Sequence, residues 1–308
     1  MTTAYLFPGQ GSQHVGMGRA LYEREPAART LFDRADHLLG FPLSQLCFHG
    51  PEEALTDTVN QQPALFVTSL ANWAVMQEQG WPPAAYAAGH SLGEFSALAA
   101  AGSLTFDAGL ALVRRRGELM QEAGAAEPGA MAAVLALDVA QVEEVCAQAR
   151  AESGQPVQVA NDNCPGQVVI SGAQAPLQRA VALAQAAGAR KVVTLPITIA
   201  AHSPLMASAA AAFARAVQQA PISAPSLPII ANTSARPLTA PEEIRAELIA
   251  QLTGSVRWTD SMRYLRRQGV DTFVEVGPGD VLSALMKRID RKAVRRQFRP
   301  GRAQVPEG

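Results

Sequence analysis

Two rhythms divide the chain: short apolar runs that stop at glycine or proline, and longer stretches with helical spacing. Residues 4–7 form an apolar run cut off by Pro8-Gly9, which predicts a buried strand entering a tight loop. Helical spacing follows to about Gly40 and returns over 63–79, with Pro63 expected in a first helical turn, where its missing N–H has no partner to lose. The small residues 84–88 predict a second strand that runs straight into Gly89-His90-Ser91-Leu92-Gly93. An Ala-rich helix over 94–101 follows, and another is expected over 106–120.

A linker is expected at 124–129, and the rhythm changes after it. Strands read over 130–136, 157–161, 168–171 and 192–195, and helices over 139–151 and 176–187. The order βαββαβ is that of a ferredoxin-like unit of about 65 residues. Mixed patterning then resumes, with a helix over 206–220 and a buried strand over 273–276 ahead of Gly277-Pro278-Gly279. The pattern predicts an α/β protein whose main sheet is interrupted. Residues 1–128 and 198–290 form the large domain and 129–197 the small subdomain. Residues 291–308 form a basic tail, which loses its apolar rhythm beyond Lys292 and frays.

Composition narrows the function. At 308 residues, 48% hydrophobic and 17% charged, the chain has enough apolar surface to fold and is not a disordered polar chain. A net charge of −1 gives no support for nucleic-acid binding. The charge is uneven, since eight basic residues and one acid lie between Lys287 and Arg302. Such runs are usually solvated surface; docking of an anionic partner is the alternative. The uncharged stretch 58–77 contains Asn60, Gln61, Gln62, Pro63 and Asn72, which predicts a buried helix rather than a membrane span. Cys47, Cys146 and Cys164 are odd in number and widely spaced, so neither a disulfide framework nor a zinc site is expected. The first residues lack the basic and apolar regions of a signal peptide, and a soluble cytoplasmic protein is expected.

The segment Gly89-His90-Ser91-Leu92-Gly93 fits G-x-S-x-G, in which a serine sits on a sharp strand-to-helix turn. A helix beginning at Leu92 directs its first N–H groups at an oxyanion formed on a bound acyl group. A serine hydroxyl also needs a base. Of His14, His37, His49, His90 and His202, the second and third read as ordinary surface or loop residues. His90 is expected to point away from its neighbour and to support the turn. His202 lies in an uncharged stretch between Pro196 and Pro204, where the preceding strand can deliver it to Ser91. By themselves these residues allow blander readings: His202 as a satisfied core histidine, and Arg114, Arg115 and Arg116 as a solvated helix face.

Taken together, the motifs resemble one family. Phe7-Pro8-Gly9-Gln10-Gly11-Ser12-Gln13, Gly89-His90-Ser91-Leu92-Gly93-Glu94, Arg116-Gly117, Gln167-Val168-Val169-Ile170-Ser171-Gly172, His202-Ser203-Pro204-Leu205-Met206 and Glu275-Val276-Gly277-Pro278-Gly279 resemble, in order, the malonyl-CoA:acyl carrier protein transacylases. The resemblance implies an α/β-hydrolase-like large domain with an inserted ferredoxin-like subdomain. It implies Ser91 as nucleophile, His202 as base, the main-chain carbonyl of Gln251 orienting that histidine, and the N–H groups of Gln10 and Leu92 as oxyanion hole. Arg116 would hold the free carboxylate of a malonyl group, and Asn161 would lie on the substrate side, with Cys164 in the same loop and without chemistry. Ala201, where relatives often carry Phe or Ser, would loosen the pocket floor, while the bulk of Leu92 would tighten it; malonyl is favoured over a branched unit. The partners implied are malonyl-CoA and an acyl carrier protein bearing phosphopantetheine, with no bound cofactor, no metal, no nucleic acid and no membrane. Residues 16–21, 232–237 and 256–258 resemble the discrete polyketide acyltransferases more than those of fatty acid synthesis.

Two other readings compete. A hydrolase of acyl carrier proteins or a serine esterase could use the same scaffold, but Arg116 disfavours neutral chains. An esterase would also want an acidic triad member, for which Asp138 and Asp162 look badly placed. A non-catalytic carrier-protein adaptor would not need Ser91, His202 and Arg116 together.

Overall fold

The computed structural model describes residues 1–298. Ten strands form two sheets: β1 (Thr2–Phe7), β2 (Tyr86–Gly89), β3 (Gly129–Leu135), β4 (Val157–Cys164), β5 (Gln167–Ala173), β6 (Lys191–Thr194), β7 (Ile229–Ile230), β8 (Pro237–Leu238), β9 (Val270–Glu275) and β10 (Val294–Gln297). The larger sheet runs β10-β9-β1-β2-β7-β8, parallel except for the last pair. Helices cover both faces of a parallel sheet, so its central strands are buried on both sides and read as continuous apolar runs. In β1, Ala4, Tyr5, Leu6 and Phe7 are all buried.

Phe7 pairs in register with Gly89, so the loops that leave β1 and β2 start side by side. His90 N–H donates to Phe7 O at 3.1 Å across that gap. Ligands of open α/β sheets bind outside the carboxyl ends of the strands, and this is such an end.

The smaller sheet, β4-β5-β3-β6, is antiparallel throughout. Its side chains alternate between faces. Ala132, Val134, Val157, Val168 and Ile170 pack beneath helices Val139–Ser153 and Gln174–Ala186, while Met131, Ala160 and Val169 join the core of the larger sheet. The two parts are stitched together at β4, where Val256 N–H donates to Ala160 O and Asp162 N–H donates to Val256 O.

The structure corrects several expected boundaries. The helix expected to open at Pro63 starts earlier and runs Thr58–Glu78, with Pro63 inside it. Proline leaves the carbonyl four residues back without its helical donor, and Arg114 Nη1 donates to that carbonyl, Val59 O, at 3.3 Å. The expected linker at 124–129 is partly helical, because helix Phe106–Ala126 continues into it. The strand expected over 157–161 continues as β4 past Asn161, so Cys164 lies on a strand rather than in a loop. The chain does not fray at Lys292: β10 adds to the edge of the larger sheet, with Ala293 and Phe298 buried around it. The rest of the expected basic tail, 299–308, lies outside the described residues. Among the described residues no helix is long and apolar enough to cross a membrane.

Candidate active site

Ser91 follows β2 and precedes helix Gly93–Ala100, and its backbone is left-handed, with φ 51°. A non-glycine residue holds that conformation only where its surroundings enforce it. Two glycines permit the close approach required. A Cβ at Gly89 would fall 1.9 Å from the Gly93 carbonyl carbon, and one at Gly93 would fall 2.0 Å from Phe7 O. The buried Asn232 then clamps the turn: its Oδ1 accepts from Ser91 N–H at 2.7 Å, and its Nδ2 donates to Gly89 O at 2.8 Å.

The helix start is tightly wound, with Gly93 N–H bonded to His90 O, Glu94 N–H to Ser91 O and Phe95 N–H to Leu92 O. Within 91–95, Leu92 alone keeps an N–H without an acceptor among the described residues. Its side chain, expected to tighten the pocket, instead packs into the core beneath the turn. His90 is half-buried beside the Trp258 ring, and its Nε2 lies 2.8 Å from Asn163 Oδ1. Burial pushes its pKa down.

His202, 111 residues further on, meets the serine: Nε2 stands 2.8 Å from Ser91 Oγ. Its Nδ1 faces two main-chain carbonyls, Gln251 O at 2.8 Å and Gly254 O at 3.1 Å. Both are acceptors only, so Nδ1 carries the proton and Nε2 presents its lone pair to the hydroxyl. His202 is also left-handed, with φ 57°, held by its N–H to Leu252 O and by Gln158 Nε2 donating to its carbonyl. Burial, and then the nearby Arg116 charge, push its pKa down to about 3, so the imidazole is neutral near pH 7. Among the described residues no carboxylate bonds to the histidine: Asp138 caps helix Val139–Ser153, and Asp162 accepts from Thr259.

Arg116 is buried at 2% exposure, and its guanidinium joins the same cluster. Nη2 donates to Ser91 Oγ at 3.2 Å and to Gln251 Oε1 at 2.9 Å, while Nη1 donates to Gln62 Oε1 at 2.9 Å. No acidic side chain among the described residues forms an ion pair with it, and its Nε has no partner. Burial pushes its pKa down to about 10, with the Glu94 charge opposing. A buried guanidinium paired only with neutral groups carries a desolvation cost that those hydrogen bonds offset in part.

A cavity of about 460 Å³ opens onto Ser91 and His202. Gln10, Asn161 and Ala201 line it, together with Gln61, Met131 and Val169, so both sheets contribute walls. Several participants were not singled out in the sequence: Gln62, Glu94, Asn232 and the side chain of Gln251. Glu94 and Asn232 stood inside segments that carry the resemblance, without a role of their own; for the others the signal was polarity inside apolar segments, most visibly Gln61 and Gln62 in an uncharged helix.

A family model described as an acyl transferase domain matches residues 4–297. The chain belongs to that family. It is 46% identical over 289 residues to the malonyl CoA-acyl carrier protein transacylase of Bacillus subtilis, covering 94% of this chain and 90% of the relative. Among solved structures, the malonyl CoA-acyl carrier protein transacylase of Coxiella burnetii matches with a TM-score of 0.94 at 38% identity, covering 97% of this chain and 94% of that one. A type II polyketide acyl carrier protein in complex with its malonyl-transacylase matches through its transacylase chain with a TM-score of 0.93 at 38% identity, covering 96% of each. Family members of this build combine an α/β-hydrolase-like large domain with a small subdomain, as the two sheets here do.

Proposed function

We propose that the protein transfers a malonyl group from malonyl-CoA, through an ester on Ser91, to the phosphopantetheine thiol of an acyl carrier protein. The observation that carries this reading is Arg116: a buried guanidinium with a free Nε, no ion-paired acid among the described residues, and one nitrogen 3.2 Å from the nucleophile. An arginine so placed pairs with the carboxylate of a dicarboxylic acyl group, its planar fork engaging both oxygens. A neutral acetyl group would leave it uncompensated, a cost of about 3–5 kcal/mol.

In the first half-reaction Ser91 Oγ attacks the thioester carbonyl carbon and His202 Nε2 takes its proton. The oxyanion is received by the Gln10 and Leu92 N–H groups, each contributing about 3–4 kcal/mol. As the intermediate collapses, the C–S bond breaks and the CoA sulfur leaves with the proton from His202. In the second half, His202 takes the proton of the carrier thiol, whose sulfur attacks the ester carbonyl carbon; the Oγ–C bond then breaks and Ser91 Oγ takes the proton back from His202. The malonyl carboxylate also offsets the Arg116 charge that disfavours imidazolium. No bound cofactor takes part, and the three unpaired, buried cysteines suit a reducing cytoplasm.

The product serves fatty acid or polyketide assembly. The resemblance of 232–237 to polyketide enzymes carries less weight than the sequence suggested, because Asn232 has a structural duty in clamping Ser91.

The test is to load the protein with radiolabelled malonyl-CoA, isolate it and add carrier protein. Label is expected on Ser91 and moves to the carrier faster than it is lost to water. Rapid loss to water without transfer identifies a hydrolase, and absence of label rejects the acyl-enzyme.

A further inference from the structure

We propose that Glu94 is a positioning residue that sets the preference of the site for a carboxylated acyl group, by fixing the Gln251 amide that aims Arg116. The inference rests on the reading above that Arg116 holds the malonyl carboxylate. Glu94 lies in the first turn of the helix that follows Ser91 and is fully buried. Its Oε2 accepts from Gln251 Nε2 at 2.5 Å, and its Oε1 accepts from Asn232 N–H at 3.0 Å.

An amide side chain has nearly the same shape in either orientation, so packing cannot decide which end faces where; its neighbours' hydrogen-bonding chemistry decides. Both Glu94 oxygens accept in the fold, Oε1 from Asn232 and Oε2 from Gln251, so Gln251 turns its NH2 group toward Glu94, with Ser91 O favouring the same orientation at 3.0 Å. The amide oxygen then points at Arg116 Nη2, 2.9 Å away. The reversed amide would set NH2 against a guanidinium N–H, two donors facing each other. The chain carboxylate–amide–guanidinium therefore anchors one nitrogen of Arg116 while its Nε stays free. Glu94 touches neither Ser91 Oγ nor His202, so its influence on selectivity passes through Arg116.

The experiment compares kcat/KM for loading malonyl-CoA and acetyl-CoA in the wild type, Glu94→Gln, Arg116→Ala and the double variant. In Glu94→Gln one of the two oxygens becomes NH2 and competes as a donor. The malonyl-to-acetyl ratio is expected to fall about tenfold, mainly through KM for malonyl-CoA. In the Arg116→Ala background the same substitution is expected to leave the ratio unchanged. The ratio is internal to the folded fraction, so a lower yield of variant does not mask it. Glu94→Asp, which draws the oxygens back from both donors, is expected to lower the ratio too. Equal losses for both substrates in both Glu94 variants, or an undiminished effect without Arg116, overturn the proposal. An Arg116→Ala ratio equal to that of the wild type instead overturns the role given to Arg116.

Discussion

Arg116 shows how residue type and placement carry different information. Residue type alone leaves three consecutive arginines equivalent, and it was the resemblance at Arg116-Gly117 that singled one out. The structure separates them: Arg114 and Arg115 pair with Glu118 at the surface, while Arg116 turns inward to Gln62, Gln251 and Ser91. Ser91 was legible because its turn is local and demands glycines nearby. The main-chain role of Gln251 came with the resemblance, but its side-chain role and that of Asn232 did not, because their partners lie 135 to 160 residues away and nothing in a linear pattern links them. The proposed role of Arg116 depends on a planar fork rather than on charge alone. Arg116→Lys keeps the charge but supplies a point cation that cannot span Gln62, Gln251 and a carboxylate together. Loading of malonyl-CoA is expected to fall about 100-fold in kcat/KM, by analogy with other broken charged contacts, while acetyl-CoA loading changes little. Wild-type malonyl loading by Arg116→Lys would show that charge alone suffices.

Elements with a clean period were the most readable. The short apolar runs that predicted β3 and β5 feed two different cores on the two faces of the small sheet, and Val142, Val145, Cys146 and Ala149 form the buried stripe of a helix. Two elements broke their local rule for reasons found elsewhere in the chain. Pro63 sits inside a helix because Arg114 replaces the lost donor. The segment Val294-Arg295-Arg296-Gln297 has no strand alternation, and it becomes β10 because β9 offers an unpaired edge and Phe298 drops into the core against Trp81. If Phe298 is what secures that strand, Phe298→Ala should cost about 3–5 kcal/mol. Arg295, whose guanidinium bonds carbonyls in the same turn, should cost well under about 1 kcal/mol when replaced by alanine. Urea midpoints of the two variants check the contrast, and equal midpoints would mean that the edge strand adds nothing to stability.

The two sheets share one buried site, so charge that is useful for chemistry becomes a term in global stability. His202 is held neutral in the fold, with its pKa at about 3 against about 6.5 in an unfolded chain. Between those values the unfolded state binds the extra proton, so this group's contribution to stability falls as pH drops below about 6.5 and levels off near pH 3. His90, also pushed down by burial, acts in the same direction. Glu94, Glu247 and Glu275 are pushed up by burial and act oppositely: their stabilisation is full below about pH 4.5 and is lost as pH rises through their folded values. The wild-type profile mixes both trends, so the histidine is isolated by difference. Relative to His202→Gln, the wild type should lose up to about 1.4 kcal/mol per pH unit below pH 6.5, read from denaturant midpoints between pH 7.5 and 4.5. A constant difference across that range would mean that His202 takes up its proton as readily in the fold as in the open chain, and with it would go the account of how the imidazole stays free to act as a base.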